Sequence, residues 1–370
     1  MTWALRLAWF VTPHGFGHAA RTAAIVEALG RRLPRLEVEL WTSVPGWFFA
    51  ESLTVPFRRR ELVCDVGLIQ KSPVEEDLPA SLAALASFWR AADRGGTGEI
   101  AAAVAASGAA GVVADIAPFG LEVARAAGLP CVLVENFTWD WIYEPLAAQE
   151  PGFAAWAERL RGMSAEADLH LQLEPCCLPV AGARPVPPVA RSPRQSREEI
   201  RARLAIPAAD AVVLVSLGGV EHRLSSLGPL AACPGTTFVI PGGSAAERRE
   251  GNLRLLPHHS PVHHPDLVAA ADAVVGKLGY STVAEVMGAG SRVLYVPRPG
   301  FRESAVLERY VEERLPAAAI SFAELESGSW VERLPALLDR PRPAASTTCG
   351  AAVAADLIAD WWEAGGGRSR

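Results

Sequence analysis

Two short stretches of the chain carry side chains able to do chemistry. The first is Thr12–Arg21, "TPHGFGHAAR", where His14 and His18 flank a Gly15-Phe16-Gly17 turn between two apolar runs. Histidine changes charge near neutral pH, so either ring could exchange a proton with a substrate or bind a metal. The second is "GKLGYSTVAE", where Lys277, Gly279, Ser281 and Thr282 bring an ammonium, backbone N–H groups and two hydroxyls toward one helix start. Such a set suits a diphosphate without a metal ion. Glu285, one turn further on, could accept hydrogen bonds from ribose hydroxyls. The plainer readings are that both histidines only cap the turn and that Ser281 is an ordinary N-cap.

Position favours His18 over His14. It falls in the first turn of the helix that follows, where the positive helix end lowers a histidine's pKa and keeps it neutral. A neutral imidazole at the carboxyl end of a strand can take the proton of a substrate hydroxyl if a carboxylate orients it. Asp115, closing the run "GVVAD", is the candidate partner. His14 keeps a secondary claim as a turn or acceptor-contact residue, with Gly15 and Gly17 giving a ligand room to approach. Gly15, Gly17 and Ala20 also fit the loose G-x-G-x-x-A dinucleotide fingerprint, but the second strand ends in Thr42-Ser43 where that fingerprint wants an acid. A nicotinamide site is therefore disfavoured.

Other polar stretches say less. "SLGG" sets Gly218 and Gly219 after a strand as a second phosphate-approaching turn. In "LPHHSPVHHPDLV" the adjacent pairs His258-His259 and His263-His264 point apart, and only Asp266 stands at ligand spacing, so no metal is expected. A histidine here, His264, is read as a contact to the donor nucleotide. In "NFTWDWIYEP" and "VPGWFFAE", Trp139 and Phe48 read as core, while Asn136, Asp140 and Trp141 are candidates for the wall of an acceptor pocket.

The elements that must position these residues alternate. Leu5–Thr12 reads as a strand, Ala19–Arg32 as a helix, Val38–Thr42 as a strand, and Leu82–Ala106 as a helix broken near Gly95-Gly96. Gly111–Ala114 and Pro130–Val134 are further strands. Between Glu174 and Pro207 lie seven of the chain's 29 prolines, which rules out regular helix over "ARPVPPVARSP". After it the alternation restarts with "AVVLVSLGG", "TTFVIPGG", "DAVVGKLGYSTVAEVMGAG" and "SRVLYVP". Strands alternating with helices imply parallel sheets. The expected organisation is a Rossmann-like acceptor-side domain over 1–180, a Pro-rich linker and first helix over 181–210, and a Rossmann-like donor-nucleotide domain over 211–345. Residues 346–370 would form a helix packing back, with Val353, Leu357, Trp361 and Trp362 on one face, and a disordered tail. A ligand is expected between the two domains, at the carboxyl ends of strands.

Composition narrows the classes. At 370 residues, half of them hydrophobic, the chain can fill two cores. A net charge of -6 and only short basic runs argue against nucleic acid. Six scattered cysteines without a C-x-x-C pair suggest reduced thiols, and with no leader in "MTWALRLAWFVTPHG" a cytoplasmic setting is expected. There are 33 arginines against two lysines, Lys71 and Lys277, which makes a lysine retained in a strand-to-helix loop suggestive. Weak membrane-surface contact stays open through Trp47 and Phe48, although no basic amphipathic helix supports it.

Taken together, "HGFGHAAR", "NFTWDWIY", "GKLGYSTVAE" and "VPRPGFRE" resemble GT-B glycosyltransferases. The nearest likeness is to the glycosyltransferase-like region preceding the sugar kinase in plant L-arabinokinases and its free-standing bacterial relatives. More distantly they are similar to the lipid-linked GlcNAc transferases of peptidoglycan synthesis and to UDP-glycosyltransferases. The resemblance runs through nearly the whole chain but not into a kinase, so sugar phosphorylation is not implied. It implies an α/β GT-B fold, two Rossmann-like domains facing a cleft. It also implies His18 as base with Asp115, Lys277 on the diphosphate, Ser281 and Thr282 as hydroxyl contacts, Glu285 on the ribose, and Arg302 and Glu303 near the donor sugar. Ser304 stands where the family's acid–glutamine pair has glutamine. The implied reaction is an inverting, metal-independent transfer from a nucleotide-diphosphate sugar, a UDP-sugar foremost, to an unidentified hydroxyl acceptor (a small molecule, glycan or lipid-linked group), with no separate cofactor. The alternatives are a non-catalytic nucleotide-sugar-binding module and a GT-B-shaped nucleotide-sugar epimerase or hydrolase.

Overall fold

The structure, a computed structural model, describes residues 5–72, 75–217, 224–346 and 348–366. Gly218, Gly219 and the tail after Gly366 lie outside the described residues. The chain divides into two compact units, Met1–Val189 with Cys349–Arg370, and Ala190–Thr348. The divide thus falls inside the proline-rich segment. Residues Arg184–Val186 pair as an edge strand of the first unit. The helix Arg197–Arg203 is held in the second by Arg197 and Arg201, each 2.6 Å from Asp272.

The first unit is built on seven strands, with a short hairpin between two of them. In chain order these are β1 (Leu5–Val11), β2 (Leu36–Trp41), β3 (Phe57–Arg60), the hairpin β4 (Gln70–Ser72) and β5 (Glu75–Glu76), β6 (Gly111–Asp115), β7 (Cys131–Glu135), β8 (Leu169–Leu173) and β9 (Arg184–Val186). The large sheet runs β3-β2-β1-β6-β7-β8-β9, parallel throughout. Its central strand is covered on both faces, so Leu7 through Val11 are without solvent exposure, and the run is apolar without alternation. Leu7, Phe10 and Val11 each contribute about 1.5–3 kcal/mol on burial.

The helix Gly17–Arg32 covers β1 with Ala19, Ala23, Ile25, Val26 and Leu29. On it lies the C-terminal helix Gly350–Trp361. Of the expected face, Trp362 is buried and Val353, Leu357 and Trp361 are partly covered, while Ala351, Ala354, Ala355, Ile358 and Ala359 make the buried contact. Small side chains win the contact because the facing helix is itself alanine-rich and the two can approach closely. Phe48 is buried, stacked on Phe16 at 5.0 Å, so it offers nothing to a membrane surface; Trp47 is half-buried. No helix among the described residues is long and apolar enough to cross a membrane.

The second unit repeats the plan with β10 (Ala211–Ser216), β11 (Thr236–Pro241), β12 (Arg248–Glu250), β13 (Leu253–Leu256), β14 (Ala273–Lys277), β15 (Arg292–Val296) and β16 (Ala317–Ala319). The order is β12-β13-β11-β10-β14-β15-β16, with only β12 antiparallel. In both sheets the strand order reverses beside the first strand of the unit, at β1/β6 and at β10/β14. Connections leave such neighbours toward opposite faces and open a crevice at their carboxyl ends.

Candidate active site

In the first unit the chain leaves β1 at Val11 and crosses the strand's carboxyl end before the helix begins at Gly17. The turn needs Gly15, whose φ of 66° is the left-handed conformation that side chains with a Cβ disfavour. The helix start carries no side-chain cap. One residue into it, His18 is buried with its Nδ1 3.2 Å from Asp115 Oδ1. Asp115 arrives there because β6 pairs with β1 in a register that sets it opposite Val11. The expected pair is therefore in contact.

The surroundings of that pair were not foreseen. Arg21, 3 % exposed, donates from Nε to Asp115 Oδ2 at 3.0 Å and from Nη2 to Oδ1. Thr22 Oγ1 donates to Oδ2 at 2.8 Å. Burial works against ionisation of Asp115, yet the Arg21 guanidinium and the hydrogen bonds from His18 and Arg21 hold its carboxyl below the usual range. Burial pushes the His18 pKa down, helped by Arg21 and opposed by Asp115. What favours the neutral ring is thus desolvation and a neighbouring cation, where the sequence reading looked to the helix end. The signal for Arg21 was present: an arginine three residues after His18, on a helix face otherwise made of alanine, isoleucine and valine.

Arg21 also donates through Nη1 to Asn136 Oδ1. Asn136 in turn gives both amide protons to backbone, to Leu173 O at 2.7 Å and Pro175 O at 3.2 Å. It was expected on the acceptor wall; as placed, it buttresses Arg21. His14 lies edge-on to Trp139, ring centroids 5.4 Å apart, and its Nε2 is buried with no hydrogen-bond partner. Burial and nearby His18 push its pKa down to about 3. A second carboxylate that the sequence reading passed over, Asp65, accepts from Thr12, Trp139 and the Val66 N–H, and burial raises its pKa to about 6. Asp140 and Trp141 are half-buried in the short helix Trp139–Tyr143.

In the second unit the crevice lies between the ends of β10 and β14. Gly276 is required there, because a Cβ would overlap the Ser216 carbonyl oxygen. Lys277 follows, largely desolvated, with a pKa lowered to about 8 by burial and Arg298 against the pull of Glu303. Gly279, not Ser281, is the N-cap of the helix Tyr280–Ala289, and no side chain caps it. A Cβ built on Gly279 would meet no heavy atom within 4 Å outside its chain neighbours, so space lies open beside the helix start. Ser281 is half-buried and Thr282 buried in the first turn.

Glu285 is 6 % exposed and already engaged: His264 Nδ1 lies 2.8 Å from Oε2 and Arg191 Nη2 3.6 Å from Oε1. Burial opposes its ionisation, but His264 and Arg191 hold its pKa below the ordinary value. The other His264 nitrogen lies 3.1 Å from Ser216 Oγ, so the ring ties β10 to the helix. After β15, Arg302 is exposed and Glu303 half-buried, as N-cap of the helix Ser304–Glu312. Ser304 Oγ accepts from the Arg298 N–H at 3.0 Å and donates to Glu308 at 2.6 Å. Among the described residues, no three His, Cys, Asp or Glu side chains gather where a metal could bind.

No protein-family model matches the chain. It is 28 % identical over 341 residues to an L-arabinokinase of Arabidopsis thaliana, covering 89 % of this chain and 32 % of that one. The chain thus spans about a third of that relative's length. It is 29 % identical over 354 residues to the UDP-N-acetylglucosamine–N-acetylmuramyl-(pentapeptide) pyrophosphoryl-undecaprenol N-acetylglucosamine transferase of Acidothermus cellulolyticus, covering 88 % of each. Among solved structures, the glycosyltransferase SnogD from Streptomyces nogalater superimposes with a TM-score of 0.58 at 19 % identity, over 96 % of this chain and 99 % of the other. In fold the chain is like the GT-B glycosyltransferases, and in sequence it is similar to the two relatives above.

Proposed function

We propose that the chain is an inverting, metal-independent glycosyltransferase moving a sugar from a nucleotide-diphosphate sugar to a hydroxyl acceptor. The observation that carries the reading is His18: Nδ1 faces a fully buried carboxylate, and Nε2 makes no hydrogen bond among the described residues. A neutral imidazole so anchored accepts the acceptor's hydroxyl proton at Nε2. The oxygen then bonds the sugar's anomeric carbon as the bond to the diphosphate breaks, and the electron pair leaves with the diphosphate. Lys277 and the start of the helix Tyr280–Ala289 are the groups suited to hold that charge. UDP is the first nucleotide to try, because the Acidothermus relative is named for a UDP-sugar and an undecaprenol-linked acceptor. A cytoplasmic setting is proposed with it, on six cysteines that form no disulfide among the described residues.

A thermal-shift panel of nucleotide sugars without divalent metal tests the donor half. At least one member should stabilise the protein, and Lys277→Ala should weaken binding by about tenfold to a hundredfold. Since the ammonium loses its proton near pH 8, affinity should fall as pH rises through that value. No shift from any nucleotide sugar defeats the proposal. Nucleotide release dependent on a hydroxyl acceptor, and lost in His18→Ala, tests the other half.

A further inference from the structure

His18 Nδ1 has two neighbours: Asp115 Oδ1 at 3.2 Å and Arg21 Nη2 at 3.0 Å. A carboxylate offers about four lone-pair sites. Arg21 fills one on each oxygen of Asp115, and Thr22 fills a second on Oδ2. The one that remains, on Oδ1, faces His18. Nδ1 can accept from Arg21 Nη2, which is a donor only, or give a proton to Asp115; the tautomer with its proton on Nδ1 is the one that fills the Asp115 site and leaves Nε2 with its lone pair. The same arrangement puts a permanent guanidinium charge beside the ring and neutralises much of the carboxylate that would otherwise steady an imidazolium. The other titratable neighbours are His14, on the loop from β1 and buried beside His18, and Cys64, whose buried thiol also feels Asp115. Asn136, at the end of β7, fixes Arg21 from the far side, and the ring of Phe137 lies edge-on at 6.4 Å.

We propose that Arg21 is a positioning residue for the transfer. By sharing Asp115 with His18 it selects the Nδ1–H tautomer and makes the protonated ring short-lived, so that Nε2 takes the hydroxyl proton and gives it up again. This rests on His18 being the base. It adds that the pair is a triplet, in which the arginine widens the acid side of the working range.

Imidazole nitrogen NMR on the full chain, with His18 assigned through His18→Gln, reads this without any turnover. Wild-type His18 should carry its proton on Nδ1 and titrate below 6.5, the ordinary value. Arg21→Met should raise that titration by about 1–2 pH units, and the acidic limb of kcat/KM should move with it. The loss at neutral pH should fall on kcat, with the donor KM little changed. Arg21→Lys keeps the charge without the fork and should leave the titration near the wild-type value. A purely structural Arg21 would lower the folded fraction but shift neither titration nor limb. A wild-type His18 titrating at or above 6.5, or protonated on Nε2, overturns the proposal even if Arg21→Met does not fold. If the titrations behave as expected but transfer survives His18→Ala, the base assignment fails and the electrostatic role of Arg21 stands.

Discussion

Both units hold a histidine, a carboxylate and an arginine at the carboxyl end of the sheet, and the two triplets are wired differently. In the first, His18 uses Nδ1 alone, and Arg21 grips Asp115 through two nitrogens, with Nε at 3.0 Å. In the second, both nitrogens of His264 are taken, by Ser216 and Glu285, and Arg191 stands off at 3.6 Å. Residue types alone would rate the sites alike. The difference is one unoccupied lone pair, and it separates a group that can accept a proton from one that braces a helix against a strand.

Replacing each histidine by alanine breaks that comparison most directly. His18→Ala should lower kcat by about 10²–10⁴-fold, the usual worth of a positioned base. His264→Ala should leave kcat within about tenfold and act on donor KM and stability, since Glu285 and Ser216 each lose a partner. Equal losses of kcat in a matched assay would show that the wiring does not matter.

The carboxylates give the next largest contrast. Asp115→Ala strands a buried guanidinium and should cost about 3–5 kcal/mol in the first unit. Glu285→Ala should cost the second unit less, because Arg191 is held less closely. Hydrogen exchange followed separately in the two units distinguishes them. The sign with pH follows from the folded pKa of Asp115 lying below its unfolded value of 3.8. The stabilisation is complete above that value and is lost as pH falls through the folded one. The gap between wild type and variant should therefore hold from neutrality down to about pH 4 and close only below it.

His14 acts higher on the pH scale. Its folded pKa of about 3 against 6.5 unfolded means that the unfolded chain takes up the proton first. Stability is full above 6.5 and is lost as pH falls toward 3, by about 2 kcal/mol between roughly pH 6 and pH 4. His14→Phe keeps the contact with Trp139 and should flatten that slope. His263, lowered to about 3 chiefly by burial, should impose a like slope on the second unit, which the same exchange experiment reads.

Much of the fold was legible because buried parallel strands are near-continuous apolar runs: "LRLAWFV", "GVVAD" and "AVVGK" declare themselves. The break near Gly95 was equally plain, and Gly95 does take a φ of 118°. Edge strands such as "FRRR" (β3) were not legible, since one edge is free and the side chains alternate with solvent. In the site, the His18–Asp115 contact could be anticipated because both residues end neighbouring strand connections. Arg21 stood out as an arginine on an apolar helix face, but its partners did not, and neither Asp65 nor the inward turn of Asn136 could be anticipated, because each depends on a partner brought close only by the sheet. Asn136 meets Arg21 across 115 residues of chain. Ser281 shows the converse, a hydroxyl that looks like a helix cap until the extended backbone of Gly279 takes that place.

The smallest effect concerns Ser304. Its hydroxyl is spent within its own surroundings, accepting from the Arg298 N–H and donating to Glu308 four residues on. Removing it with Ser304→Ala should cost about 1 kcal/mol of stability in the second unit and leave the order of preferred donor sugars unchanged. Ser304→Gln loses the same two hydrogen bonds but sets an amide beside Glu303, on the loop shared with Arg302. It should therefore carry the stability loss and also reorder the donor panel by less than about tenfold, the scale of one added neutral hydrogen bond. The informative quantity is the difference between the two variants. If Ser304→Ala reorders donors as much as Ser304→Gln, the serine itself touches the sugar. The second unit would then share with the first a side chain that serves fold and substrate together.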